Sequence, residues 1–511
     1  MVHFRPTVWR LRSANLAVTT LLFLTTARAA ACGATLDAVG TVRNGDDILS
    51  APMLASATID DCVALCCQTS TCRALSYNNP QPEYTQVGGT ACEAGGVCCM
   101  LKGAVPLLNG TNPNGAAVRT AVLSLPAGAP GPAPPFPAST FIASAAYSGA
   151  PRHWTGGIGD TWPSAWSSDD RLYAWSCDTS VNGTGSPMAF FELAGDPYAG
   201  ALDPIAIAIQ PIDYVKLCAP YHPGPNVNTK PGGVLALNGT IYTGVTCITY
   251  GQDSTLFVRQ HDLAGFIAMS RDAGRTWTNA TPVGAFPGRF AAPTFVNCGP
   301  GLPCGDPDSS ALSWVYAFFT GASWNNYAYW ENGDAHFLAR VAPGSVTNAA
   351  AYQYYVGMSG GNLSRPQWSP DSTQAQPVLS YGRMIGQNAV HYNAELKRWL
   401  VVNYGFINDV GNPWPWHQDA WHALNIRRRT QLLMLEAPQP WGPWSVFFRD
   451  DDAGAAWGAY GMYGTTLPAR WHRPVNTTTQ TAEMMMIFSC GNGLAGCFYT
   501  LNYVPVTVTL T

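Results

Sequence analysis

Charge is scarce in this sequence: Asp, Glu, Lys and Arg make up 11% of its 511 residues, and 27 basic against 31 acidic groups leave a formal net charge of -4. Soluble domains usually carry about 25% charged residues, so this surface must be hydrated chiefly by neutral polar groups, glycine backbone or glycans. So small and balanced a charge argues against nucleic acid as a partner. Disorder of the whole chain is excluded as well, because 47% hydrophobic residues support burial and the charge is too low to keep the chain expanded. No apolar run beyond the N-terminal segment supplies the ~20 residues of a spanning helix. A P-loop, a dinucleotide fingerprint, a nucleophile elbow and an H-E-x-x-H motif are all missing, so no nucleotide cofactor is implied.

What is present begins with His3, Arg5, Arg10 and Arg12, an apolar run from Leu16 to Thr26, and small residues around Ala27-Arg28-Ala29. This is a signal-peptide pattern over residues 1–29, and it predicts a secreted protein without a membrane anchor. Glycan acceptor triplets at Asn109, Asn182, Asn238, Asn279, Asn362 and Asn476 agree with that route. Of 15 cysteines, eight fall between Cys32 and Cys99. Such density in a secreted chain predicts a disulfide framework around Cys62, Cys66, Cys67, Cys72, Cys92, Cys98 and Cys99. Paired C-x2-C clusters are missing there, which disfavours zinc. Farther on, Cys298 with Cys304 and Cys490 with Cys497 are close enough in sequence to pair, and a catalytic thiol is disfavoured for the same reason.

Cys62 and Cys66 lie four apart on one face of an expected short helix that Thr58 or Asp60 caps, followed by Cys72, a strand-like Arg73 to Asn78, and Cys98-Cys99-Met100-Leu101-Lys102. This arrangement resembles a PAN/apple module, a small disulfide-rich α+β domain assigned to residues 30–104. The resemblance implies adhesion to carbohydrate or protein; a purely stabilising appendage is the plainer alternative. Residues 105–139, rich in Pro, Gly and Ala and densest from Pro126 to Pro137, read as a linker.

From residue 140 to 511 helical periodicity is nearly lacking, while short alternating or β-branched runs recur between Gly, Asn and Asp turns. Five weak strand-turn-strand repeats predict an all-β, five-bladed propeller with four-stranded blades, a fold that removes exposed sheet edges by circular closure. The strand-like Thr140 to Tyr147 is a candidate to complete the last blade. Within the second repeat, Ser270, Asp272, Gly274, Thr276 and Trp277 fit S-x-D-x-G-x-T-W and resemble the Asp box of sialidases and other propellers, a structural turn away from the ligand face.

A wider resemblance runs from residue 158 to 505, through Gly159-Asp160-Thr161-Trp162-Pro163, Lys230-Pro231, Ala292-Pro293-Thr294-Phe295, Gly382-Arg383 and Pro440-Trp441-Gly442-Pro443-Trp444. It is to the uncharacterised DUF4185-like group of secreted propellers, which is similar in architecture to arabinanase and xylosidase glycoside hydrolases. Where that group tends to have Gly-Asp-Gly, this chain has Cys177-Asp178-Thr179, keeping the acid but changing its backbone.

Antiparallel order within each blade places strand-one starts, strand-two ends and the loops between strands two and three at one end of the propeller. There the expected catalytic candidates are Asp160, Asp178, Glu331 and Asp334, and the substrate-binding candidates Lys230, Arg289, Arg383, His391 and Tyr463. Trp414, Trp416 and Trp421, in a loop from Phe406 to Arg429, are candidates either for a platform under sugar rings or for a buried lid. Two carboxyls around one pocket are what glycoside hydrolysis needs: one protonates the leaving oxygen, the other acts as base or nucleophile. The plainer alternative is that Asp160 and Asp178 cap turns or pair with Arg289 and Arg383.

The reading is therefore a secreted carbohydrate-active protein, a glycoside hydrolase on an extracellular polysaccharide, with acidic sugars compatible with the facing cations. A non-catalytic carbohydrate-binding propeller and a polysaccharide lyase are the alternatives. Polysaccharide or glycoprotein glycans are the expected partners, with a further protein or glycan ligand for the apple-like module. No cofactor is called for, and an ion in the propeller channel is left open.

Overall fold

The computed structural model describes residues 132–209, 217–221, 227–249, 261–306, 309–323, 326–331, 333–359, 365–387, 389–407, 429–457, 461–490 and 498–511, together with strand backbone between Gly33 and Ser124. The chain divides into two compact units, with the boundary between Ala129 and Pro130.

In the first unit, five antiparallel strands run in the order Gly33–Leu36, Val118–Ser124, Ala74–Asn78, Val97–Lys102, Asp47–Met53, and Thr41–Arg43 pairs with Leu108–Thr111. The strands expected at Arg73 to Asn78 and after Cys98 are present, while the cysteine-bearing helix lies outside the described residues. So do the side chains of Cys62, Cys66, Cys67, Cys72, Cys92, Cys98 and Cys99. The boundaries expected for the linker, 105–139, need correction. Leu108–Thr111 and Val118–Ser124 belong to the first unit's sheets. At the other end, the Pro132 carbonyl accepts hydrogen bonds from Tyr381 Oη (2.6 Å) and Gln431 Nε2 (2.9 Å) of the second unit, and Phe136 packs edge-on to Tyr381. Backbone polar groups seek partners wherever a strand edge offers them, and composition alone did not reveal those edges.

The second unit is a β-propeller. Its strands form successive antiparallel groups, beginning with Gly157–Asp160, Leu172–Val181, Thr184–Asp196 and Ala201–Ile209. Val227–Leu237, Thr240–Thr249 and His261–Ser270 follow with two short outer strands, and then Thr294–Phe295, Ser309–Gly321, Gly333–Val341 and Gln353–Met358. The fourth group is Val390–Asn393, Arg398–Phe406, Thr430–Ala437 and Ser445–Asp450. The last comprises Met462–Thr466, Thr481–Cys490 and Asn502–Leu510, and its outer strand is Ile142–Tyr147 from the other end of the unit. Thr430–Ala437 is buried along its whole length because neighbouring groups cover both faces, which is why apolar runs replace alternation there.

Two hairpins turn on Asn182-Gly183 and Asn238-Gly239, each with positive φ at both residues (50° and 77° in both turns), as a two-residue turn with the twist of the strands requires. The side chains of Asn182 and Asn238 stand exposed at these tips, as do those of Asn279 and Asn476; Asn109 and Asn362 have no described side chain. Cys298 pairs with Cys304, and Cys218 with Cys247, a pairing not anticipated. Cys490 is disulfide-bonded as well, and Cys497 lies outside the described residues.

The turn at Ser270 to Trp277 joins the third strand of its group to the next and is held by its own side chains. Asp272 accepts from Thr276 N (2.9 Å), Thr276 Oγ1 (2.6 Å) and Ser270 Oγ (2.7 Å), and Gly274 N donates to Ser270 Oγ (2.8 Å). Trp277 donates to the Gly274 carbonyl and reaches across to Trp175 and Phe190 of the preceding group, with ring centroids 4.8 and 5.0 Å apart. Gly274 (φ +87°) admits no side chain, since a Cβ would meet the Phe190 ring. The hydrogen bonds, those from Thr276 foremost, hold the Asp272 carboxyl down at about 2. A depressed carboxyl stabilises the fold above its ordinary pKa, and the contribution is lost as pH falls through the folded value. Asp272→Ala is therefore expected to lower the melting temperature at pH 7, with the difference from wild type closing as pH approaches 2 in a thermal unfolding series.

Candidate functional site

Around the propeller axis, Thr161, Trp162, Pro231, Gly232, Trp330, Gln387, Ala389, Gly464 and Thr465 line a cavity of about 20 Å³, with residues from every group. That is room for about one water molecule, so a sugar would lie across the mouth of the channel and not thread it.

Asp160 ends the innermost strand of the first group at this mouth, directly opposite Cys177 in the strand pair. Three backbone irregularities surround it: the register shifts between Ile158 and Asp160, and Thr161 (φ 39°) and Asp178 (φ 43°) sit in the left-handed region. For a β-branched residue such as Thr161 that conformation is costly, and it persists only where the surroundings enforce it. Here they do: Thr161 Oγ1 donates to the buried Cys177 Sγ at 2.8 Å, and Gly464 packs against the Thr161 Cα.

The Asp160 carboxyl is 7% exposed, and Tyr463, from the first strand of the last group, donates to its Oδ2 at 2.5 Å. Tyr499, also from the last group, donates to Asp178 Oδ2 at 3.3 Å. Asp178 forms an ion pair with Lys230, whose side chain is 4% exposed against 41% for Asp178. Burial raises the pKa of Asp160 above the ordinary carboxylate range; the Lys230 charge and the hydrogen bonds of Tyr463 and Tyr499 work against that, and the Asp178 charge adds to it. Burial likewise pushes the Cys177 thiol up, so it is a core thiol among charged neighbours.

Across the channel, Trp330 packs on Cys177 and Ile248, and its carbonyl accepts from Gln387 N (2.9 Å) and Tyr404 Oη (3.2 Å). This pins the loop that carries Glu331, a half-buried carboxylate whose charge bears on Tyr463. Asp334 is committed elsewhere: it accepts from Ser323 N (2.7 Å) and from Ser323 Oγ.

The structure thus brings together Asp160, Asp178, Lys230 and Tyr463, with Glu331 near them. Asp178 pairs with Lys230 and not with Arg289. Arg289 stands beside Gly321 at the same end. His391 lies in the channel wall, its Nε2 2.5 Å from Thr466 Oγ1, and burial and the neighbouring His472 hold it down at about 3, so it is a neutral core histidine. The Arg383 side chain and Trp414, Trp416 and Trp421 lie outside the described residues. Tyr499 was not singled out from the sequence; the signal for it is the closure of the ring, which sets the start of a last-group strand beside the first.

Among the described residues no group of three or more His, Cys, Asp and Glu side chains is placed to hold a metal ion. The channel lining supplies the Trp162 indole N–H and the Gln387 amide oxygen, both buried without a hydrogen-bond partner among the described residues. A donor and an acceptor facing one small cavity fit a water molecule better than a cation.

The model of a domain of unknown function (DUF4185) matches residues 147–410, and that of a PAN domain matches residues 41–102. No protein with a curated description matches the chain. Similar solved structures include a GH43_1 enzyme from Xanthomonas citri, 12% identical over 72% of this chain and 94% of that one, with a TM-score of 0.37. An α-L-arabinofuranosidase from Podospora anserina, in complex with cellotriose, is 10% identical over 72% of this chain and 98% of that one, with a TM-score of 0.34. A protein of unknown function from Dyadobacter fermentans is 10% identical over 72% of this chain and all of that one (100%), with a TM-score of 0.34. At this degree of likeness nothing about activity passes from them to this chain.

One further group at this end has a measurable consequence. Asp262 is fully buried, and burial, opposed by a hydrogen bond from Thr246, raises its pKa to about 7. The folded state then holds a proton that the unfolded chain releases near its ordinary value, so stability falls as pH rises from about 4 to about 7. Asp262→Asn should remove that slope, worth at most about 4 kcal/mol, in chemical denaturation measured across this range.

Proposed function

Because the chain belongs to the DUF4185 family, whose activity its name leaves open, we propose from the site itself that the propeller is a glycoside hydrolase. The observation that carries this reading is the buried Asp160, its pKa raised and its oxygen held by Tyr463, beside the Asp178–Lys230 pair at the channel mouth. A carboxylate tuned toward neutral pH is suited to act as general base on a water or as nucleophile. Asp178 and Lys230 set its charge environment, while Tyr463 and Tyr499 fix its orientation. Glu331, on the loop anchored by Trp330, is the proton donor to the leaving glycosidic oxygen. As base, Asp160 takes the proton of the water that attacks the anomeric carbon while the glycosidic C–O bond breaks and Glu331 protonates the leaving oxygen, and proton exchange with solvent resets both carboxyls; as nucleophile, it bonds to the anomeric carbon as that C–O bond breaks, and a water deprotonated by Glu331 then displaces it.

An extracellular place of action is part of the proposal. The leader pattern and the disulfides Cys218–Cys247 and Cys298–Cys304 support it, since such bonds persist in oxidising compartments. The PAN domain then serves to hold the enzyme on a glycan or glycoprotein.

The test is turnover on a panel of polysaccharides. Asp160→Asn and Glu331→Gln are close in shape to the wild-type residues, and each should cost roughly 10²–10⁴-fold in rate while ligand affinity is kept. Unimpaired rates in both variants would overturn the assignment. A wild type that binds a glycan but cleaves none would mark a binding propeller.

A further inference from the structure

Cations at the channel end of the propeller are mostly neutralised. Lys230 pairs with Asp178, and Arg429 pairs with Asp452. Arg289 differs. It lies in the short 3₁₀ turn Gly288–Phe290, just before the first strand of the third group, and no carboxylate among the described residues is within ion-pairing distance of it. Its Nε donates to Asn326 Oδ1 (3.3 Å), its guanidinium carbon stands 5.0 Å from the Phe337 ring centroid, and its Cβ abuts Gly321, where a side chain would crowd it. The guanidinium is thus anchored on one edge and one face. Its remaining edge, the two terminal nitrogens, makes no hydrogen bond among the described residues.

A half-buried cation without a counter-charge is costly, and a planar fork held in one orientation matches the two oxygens of a carboxylate or sulfate. Of the next two carboxylates after Asn326 in the chain, Asp334 at the start of Gly333–Val341 is taken up by Ser323, and Glu331 on the adjoining loop makes no ion pair with Arg289 among the described residues. Tyr327, next in sequence to Asn326, is 43% exposed.

We propose that Arg289 is a specificity residue that grips an anionic group of the glycan, so that the substrate is an acidic polysaccharide. This rests on the glycoside-hydrolase reading and narrows it. The source of the charge is either a uronate or a sulfate ester, since the fork accepts both.

The experiment is calorimetric titration of the full chain with oligogalacturonate and its fully methyl-esterified form, and with carrageenan oligosaccharide and its desulfated form. The expected result is that at least one charged probe binds about tenfold or more tightly than its neutral counterpart. Arg289→Gln should erase that preference. So should Arg289→Lys, which keeps the charge but not the fork, with melting temperature and affinity for the neutral form unchanged. Which probe shows the preference identifies uronate or sulfate. Binding of neither charged probe, an equal affinity for charged and neutral forms, or a preference that survives both substitutions overturns the proposal. The hydrolase reading fails separately: an acidic glycan bound through Arg289 but never cleaved removes the hydrolase and leaves the acidic ligand, whereas cleavage of a neutral glycan with no charge preference does the reverse.

Discussion

The pairing of Ile142–Tyr147 with Asn502–Leu510 is the constraint on which the rest of the second unit depends. A propeller closes when strands from both ends of the chain share one group, and here a strand from the beginning of the unit supplies the outer strand of the last group. The registers Val506 with Tyr147 and Thr509 with Ser144 fix how the ends of the unit meet. That junction sets Asp160 against Tyr463, and Asp178 against Tyr499, across more than 300 residues of sequence (|i−j| of 303 and 321). Without closure neither tyrosine would reach its aspartate.

The site is built against the grain of the fold's own energetics. Burying Asp160, Asp262 and Lys230 costs solvation that hydrophobic packing elsewhere must offset, and the positive φ of Thr161 and Asp178 adds backbone strain beside the carboxyl. The Lys230–Asp178 pair and the tyrosine hydroxyls return part of that cost as oriented electrostatics. Asp272 shows the opposite case: its turn satisfies the carboxylate completely and lowers its pKa, as expected of a group whose purpose is to hold two strands and a tryptophan. The same propeller thus holds one carboxyl raised by burial and another held down by the turn it closes.

Much of the fold was legible because it is local. Asn238-Gly239 announces a hairpin, Ser270 to Trp277 announces a self-contained turn, and β-branched runs between such turns announce strands. Asp160, Asp178, Lys230 and Tyr463 were legible because antiparallel order tells which strand ends share a face. What escaped was set by distance in sequence or by competition for backbone partners. Tyr499 needed the ring to close, Cys218 pairs over 29 residues with Cys247, and the strands inside the expected linker are revealed only by the edges they join. His391 could be placed on the channel wall, but its neutral state required the knowledge that Thr466 and His472 face it.

The central claim is that burial at the ring junction raises the Asp160 carboxyl into the range of a working base. Carbon NMR titration of the aspartate carboxyls in the wild-type protein, with Asp160→Asn used to assign the signal, measures this directly. The account predicts a midpoint above the ordinary value of about 3.9. A midpoint at or below that value would contradict it, because the Lys230 charge and the two tyrosine hydroxyls would then outweigh burial, and Asp160 would be a structural carboxylate.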